Sequence, residues 1–311
     1  MAPMMLQDSA HTTRLIVWAT RASVAVALFL LLLKLYGWML TGSVGLLATL
    51  VDSLIDLFAS LINLFAVRWA FTPPDSEHRF GHGKAEALAG LGQAAFILSS
   101  SIFLLLTSVE RLLSPKIVEE VATGTAIILI SLLATLALIA FQRYVIRRTG
   151  SVAVKADRLH YVSDVLCYLG IGIALPLAGY GYFFADPLIG LAIGIFIASS
   201  AFRIGYDAVQ LLMDRELPEQ ERQQVLDIAR AGEGVLEVHG LRTRQSGQMR
   251  FIQLHLVFDG RRSLLETHTL SDRVEERLRQ AFQNADILIH QDPHTEAVSL
   301  RAREAAGAAA D

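Results

Sequence analysis

Six stretches of this 311-residue chain are apolar over about 20 residues or more, long enough to cross a bilayer as helices. They run over 15–40, 43–71, 85–113, 121–146, 152–179 and 184–213, with Gly42, Pro73, Pro74, Pro115, Gly150 and Gly181 in the gaps. Beyond Met213 the pattern changes. Residues 217–231 and 264–282 carry an amphipathic helical period, while 235–244, 249–258 and 286–291 read as strands, the first two joined by a turn at Ser246-Gly247. The order α-β-β-α-β predicts a small ferredoxin-like α/β domain. The fold class expected is an α-helical membrane protein, six transmembrane helices followed by that domain. The transmembrane part takes 1–213, the α/β domain 214–295, and 296–311 form an Ala-rich tail predicted to be disordered.

Charge orients the bundle. Arg68, Arg79 and Lys84 flank the loop after the second span, and Arg143, Arg147, Arg148, Lys155 and Arg158 flank the loop after the fourth. The hairpins after spans one and five carry no Lys or Arg; Arg111 and Lys116, after span three, run mildly against the trend. The positive-inside rule then puts both termini in the cytoplasm, with the chain in the inner (plasma) membrane. A net charge of −3 gives no reason to expect nucleic acid as a partner. The single cysteine, Cys167, excludes a disulfide framework and a Cys-based zinc knuckle, so any metal site must use histidine and carboxylates.

Two pairs of ionisable residues interrupt the apolar spans. Asp52 and Asp56 lie in V-D-S-L-I-D, and His160 and Asp164 in L-H-Y-V-S-D. Each pair is spaced i,i+4, so its members share a helix face. A charge at the bilayer centre costs about 2.5–3.5 kcal/mol on insertion scales, and such residues mark ion pathways. At 1.5 Å per residue, Asp52 and Asp56 lie roughly 15 and 21 Å into their span; His160 and Asp164 lie roughly 14 and 20 Å into theirs, from the opposite side. Three carboxylates and one imidazole can therefore meet near mid-membrane, a donor set that suits tetrahedral Zn²⁺. The plainer alternative is interhelical hydrogen bonding by scattered polar groups. Lys34, also within a span, reads as snorkelling or paired.

Asp75, His78 and His82 crowd the loop after span two, a set that fits either an exposed metal site or a polar loop at the headgroups. The α/β domain carries His239, His255, His268, His290 and Asp292. His290 and Asp292 are i,i+2 and share one strand face; isolated, each of these histidines would be an ordinary surface residue.

The runs V-D-S-L-I-D, F-G-H-G-K-A-E, L-H-Y-V-S-D and A-D-P-L-I-G resemble the cation diffusion facilitators, in particular their bacterial zinc and ferrous-iron efflux branch. The resemblance spans nearly the whole chain. It implies a homodimer and a transport site of Asp52, Asp56, His160 and Asp164. It also implies a second metal site at Asp75, His78 and His82, and a binuclear zinc site of His239, His255, His268, His290 and Asp292, with Asp292 able to bridge two ions.

The function expected is a divalent metal cation:proton antiporter that exports Zn²⁺, or Cd²⁺ or Fe²⁺, by alternating access. Its partners are divalent metal ions, protons and the lipid bilayer. Zn²⁺ serves as substrate and as a structural or regulatory ion, with no organic cofactor. The chain has no GxxxxGK[ST] loop for nucleotide and no HExxH for metalloprotease chemistry, so no enzyme is expected. The alternatives are a proton-independent metal channel or a membrane metal sensor.

Overall fold

The computed structural model describes residues 2–41, 44–113, 125–180, 182, 184–282 and 284–294. The expected Ala-rich tail, Gly42, Pro115, Lys116 and Gly181 lie outside them. The chain divides into two units, one of Ala10–Val209 and one from Gln210 onward grouped with residues 1–9.

The first unit is helical: α1 (Ala2–Thr41), α2 (Val44–Ala70), α3 (Lys84–Leu113), α4 (Thr125–Thr149), α5 (Val152–Gly179) and α6 (Ala185–Leu212). Five of these contain stretches long and apolar enough to cross a membrane. The other, α5, runs 28 residues, about 42 Å at 1.5 Å each, and carries the charged residues singled out above in its first half. The first helix begins at Ala2 rather than near residue 15, because the polar segment before the apolar run continues the same helix.

Packing in this unit inverts that of a water-soluble protein. Phe58, Ile62, Phe65, Phe103 and Leu133 are exposed, whereas Thr20, Ser23, Ser60, Asn63, Gln93, Thr135 and Gln142 are buried. Lipid tails are as apolar as leucine, so in a bilayer small and polar side chains fill the helix contacts and large apolar ones face outward. Gly194 shows the closeness: a Cβ there would lie 2.7 Å from Leu105 on α3.

The start of α5 is sharply defined, and this phases the residues that follow. Gly150 takes φ +67° and its amide bonds Ile146, closing α4. The Ser151 hydroxyl then accepts from the Val154 amide as an N-cap. Glu86 of α3 lies against Ser151 and the Val152 and Ala153 amides, an acid at a helix N-terminus.

The second unit contains α7 (Glu219–Arg230), β1 (Glu237–Ser246), β2 (Met249–Asp259), α8 (Leu264–Ala281) and β3 (Ala285–His294). The sheet order is β1-β2-β3, with β2 antiparallel to β1 and parallel to β3. The parallel pair needs a crossover, which α8 supplies. A capping box starts α8: the Glu266 amide donates to Ser263 Oγ, and the Ser263 amide donates to the Glu266 carboxylate at 2.8 Å. Ile252, Leu254, Leu256 and Phe258 alternate along β2 and pack on Val225 and Ala229 of α7 and on Leu270, Val274 and Leu278 of α8. The odd-numbered positions of β2, His255 among them, point to the other face.

Candidate metal centres

The bundle brings Asp56 of α2 and His160 and Asp164 of α5 together, one ligand atom from each lying within 4.8 Å of the others. His160 Nε2 is 3.0 Å from Asp56 Oδ1 and 3.9 Å from Asp164 Oδ2. A tetrahedral ion with bonds of about 2.0–2.1 Å sets its ligand atoms about 3.3 Å apart, and the two distances bracket that edge. The buried Nε2 makes no aligned hydrogen bond across this gap. Asp52 is exposed and stands outside the triad, one turn from Asp56 on the same helix.

Two neighbours had no assigned part in the sequence reading. Lys34 of α1 is buried, donates to Ser53 Oγ at 2.7 Å, and its charge interacts with those of Asp56, Asp164 and Asp52. Tyr161 stacks edge-on against His160, with its hydroxyl bonded to Ser60 and to the Ser23 carbonyl. The cue for Lys34 was present, a lysine well inside an apolar run, but sequence names no partner for it.

The loop after α2 forms a second cluster. Asp75 Oδ1 accepts from the Glu77 and His78 amides at 2.9 and 2.6 Å, folding the loop around its carboxylate. The His78 amide holds the Asp75 carboxyl below its ordinary pKa, against the upward push of burial. His82 Nδ1 meets the Thr72 carbonyl at 3.3 Å, leaving Nε2 facing Asp75 Oδ2 at 3.3 Å. A metal-binding histidine is usually held by its second nitrogen in this way. His78 Nδ1 lies 3.5 Å from Asp75 Oδ1.

The third cluster follows from strand register. His239 pairs with His255 across β1 and β2, and His255 pairs with His290 across β2 and β3, so three imidazoles form a row on the face opposite the core. Asp292, two residues beyond His290, turns to the same face. One of its oxygens faces His255 Nδ1 at 2.9 Å and His239 Nε2 at 3.2 Å; the other faces His290 Nε2 at 3.2 Å. Burial pushes the Asp292 carboxyl up, but the His255 hydrogen bond and the three imidazoles outweigh it and leave its pKa lowered.

A bulge makes room for this row. The β1–β2 register shifts between His239 and Arg242, and Gly240 sits there with φ +62°. A Cβ on Gly240 would lie 2.9 Å from the His255 ring. His268 is not brought into the cluster. It is 63% exposed on α8 and faces Asp272 at 3.6 Å.

Apolar helices with a polar, acid-bearing interior, in one chain with a sheet domain that carries its own histidine cluster, fit a multi-pass membrane carrier of metal cations. The chain matches the cation efflux transmembrane domain over residues 20–213 and the cation efflux protein cytoplasmic domain over residues 217–294. It belongs to the cation efflux, or cation diffusion facilitator, family, in the FieF-type branch.

It is 52% identical over 275 residues to the cation-efflux pump FieF of Yersinia pestis (strain Pestoides F) and to that of Yersinia pseudotuberculosis serotype O:3 (strain YPIII). Each match covers 88% of this chain and 92% of the relative. Two solved structures of the proposed zinc transporter CzrB, one in its Zn form, are 36% identical to it. They cover 25% and 27% of this chain and 99% and 96% of their own, with TM-scores of 0.24 and 0.25. The protein is thus a metal cation efflux transporter and not an enzyme.

Proposed function

We propose that the protein exports Zn²⁺ from the cytoplasm in exchange for protons, by alternating access around Asp56, His160 and Asp164. The observation that carries this reading is the triad itself, a buried imidazole and two part-buried carboxylates from two helices at the spacing of one tetrahedral ion. Asp52, one turn away on the face of Asp56, supplies the fourth ligand when the ion is loaded. Imidazole in the set favours zinc and cadmium over manganese, which an all-oxygen site accepts more readily.

Proton exchange follows from the ligands. They coordinate metal only when deprotonated, so loading the ion releases protons and protonation expels it. His160 offers a nitrogen that holds either the metal or a proton, which suits it to this exchange. With both termini in the cytoplasm, the inward proton gradient drives metal outward.

The loop triad and the sheet cluster have donor sets that fit zinc. In the sheet cluster, His239 Nε2 is buried without a hydrogen-bond partner and faces Asp292. Zinc held there would supply positive charge and a cross-link between strands. His239, His255 and Asp292 hold it, and the second Asp292 oxygen, facing His290, allows a bridge to another ion. Such a cluster lets cytoplasmic zinc bias the arrangement of two copies in a homodimer. The reading is tested in proteoliposomes, with zinc, cadmium, iron and manganese compared with and without an imposed pH gradient. Zinc flux that rises with an opposing proton gradient supports antiport; flux indifferent to it identifies a channel.

A further inference from the structure

Outside the three metal clusters, one carboxyl is buried completely enough to need its own explanation. Asp157 lies one turn before His160 on α5 and is 1% exposed. Side chains from three other helices converge on it. Ser23 of α1 donates to Oδ2 at 2.5 Å, Gln142 of α4 donates to the same oxygen at 2.8 Å, and Gln93 of α3 donates to Oδ1 at 3.3 Å. Gln142 also reaches Ser23 Oγ at 3.1 Å. Tyr161, next in the chain after His160, bonds the Ser23 carbonyl and Ser60 of α2, each at 3.1 Å. Five helices are thereby tied together within a turn or so of the triad.

This knot lies on one side of His160 only. Toward the end of the bundle that carries Arg68, Arg147 and Arg148, a layer of α2 and α5 residues is buried: Ser60, Asn63, Val67, Ala153, Val154 and Asp157. In the opposite direction the side chain of Asp164 is 34% exposed and Asp52 is exposed. The knot is also incompletely satisfied. Gln142 Oε1 and both amide atoms of Asn63, two turns beyond Asp56 on α2, are buried without partners. A permanent structural interlock rarely leaves such groups, since most buried polar atoms are paired. A joint that opens to water in a second conformation satisfies them there.

We infer that Asp157 is a positioning residue for transport, the latch that holds the cytoplasmic side of the site shut in this conformation. Ser23, Gln93 and Gln142 close on it together and release it together when the site turns to the cytoplasm. The exporter reading enters only in deciding which face is cytoplasmic.

The test needs no flux, so its outcome is separate from that of the exporter reading. In a Cys167→Ser background, Asn63→Cys places a thiol within the buried layer that the latch holds closed, on the Arg68 side of Asp56. Membrane-impermeant maleimide is applied to each face of oriented vesicles. Adding Asp157→Asn should raise labelling from the cytoplasmic face at least tenfold and leave the other face unchanged. Exchanging the two groups, Asp157→Asn with Gln142→Glu, restores an acceptor between the same helices and should return labelling to the starting rate. If Asp157→Asn does not insert, Gln142→Leu removes one clamp and should show the same one-sided rise. Unchanged labelling, an equal rise from both faces, or no rescue by the exchange would overturn the inference.

Discussion

Replacing Gly240 with alanine acts twice on the sheet cluster. An L-residue in left-handed backbone costs about 1–2 kcal/mol, and Gly240 sits at φ +62°. That loss raises local opening about 5–30-fold, readable as hydrogen exchange of the β1 and β2 amides in the full-length protein. Independently, the new Cβ falls 2.9 Å from the His255 ring and must push it away from Asp292, which it meets at 2.9 Å. Disturbing a group that orients a metal ligand typically costs 10–100-fold in affinity, so zinc at this cluster, measured by chelator competition, should weaken by about that factor. Gly240→Asn separates the two effects. Asparagine tolerates left-handed backbone better but carries the same Cβ. It should lose as much zinc affinity with less added exchange. Parental zinc affinity in both variants would refute the claim that the bulge exists to seat His255.

Other outcomes follow from the same geometry. His160→Asp makes the triad all-oxygen and should lower zinc-over-manganese discrimination in metal-resolved flux by tenfold or more; unchanged selectivity would remove His160 as the filter. In chelator, the metal-free protein should resist thermal unfolding of its sheet domain better than Asp292→Asn at pH 5. The lowered folded pKa of Asp292 stabilises the fold fully above the unfolded carboxylate value of about 3.9, and this is lost as pH falls through the folded value. A gap that widens on acidification would contradict the assignment. His82→Ala should remove zinc from the loop cluster while leaving the sheet cluster's zinc in place, because the two clusters share no residue; coordinate loss of both would mean that they are linked.

The helical part of this fold was legible because apolar run length and Gly/Pro punctuation are strong signals, and α3, α5 and α6 begin and end within a residue or so of where the pattern puts them. The start of α1 was not, since its polar residues carry no hydrophobic signal and helix continues through them. The i,i+4 spacing of His160 and Asp164 pointed to one face directly. That Asp56 meets them is a matter of helix packing, and Asp52, at the same spacing, remains outside. Asp157 reads in sequence as an acid between two cations, Lys155 and Arg158, and only the convergence of α1, α3 and α4 distinguishes it. In the sheet domain the histidine row depends on a bulge at Gly240 and a parallel crossover, neither of which spacing along the chain encodes. His268 matched a pattern, yet α8 leaves it exposed beside Asp272.

Zinc K-edge absorption on protein stripped of the loop and sheet ligands tests the central claim most directly, because only the intramembrane site is left to bind. The account predicts one zinc per protomer in a shell of nitrogen and oxygen at about 2.0–2.1 Å, with imidazole scattering that disappears in His160→Ala. No retained zinc, or imidazole scattering that survives His160→Ala, would contradict it.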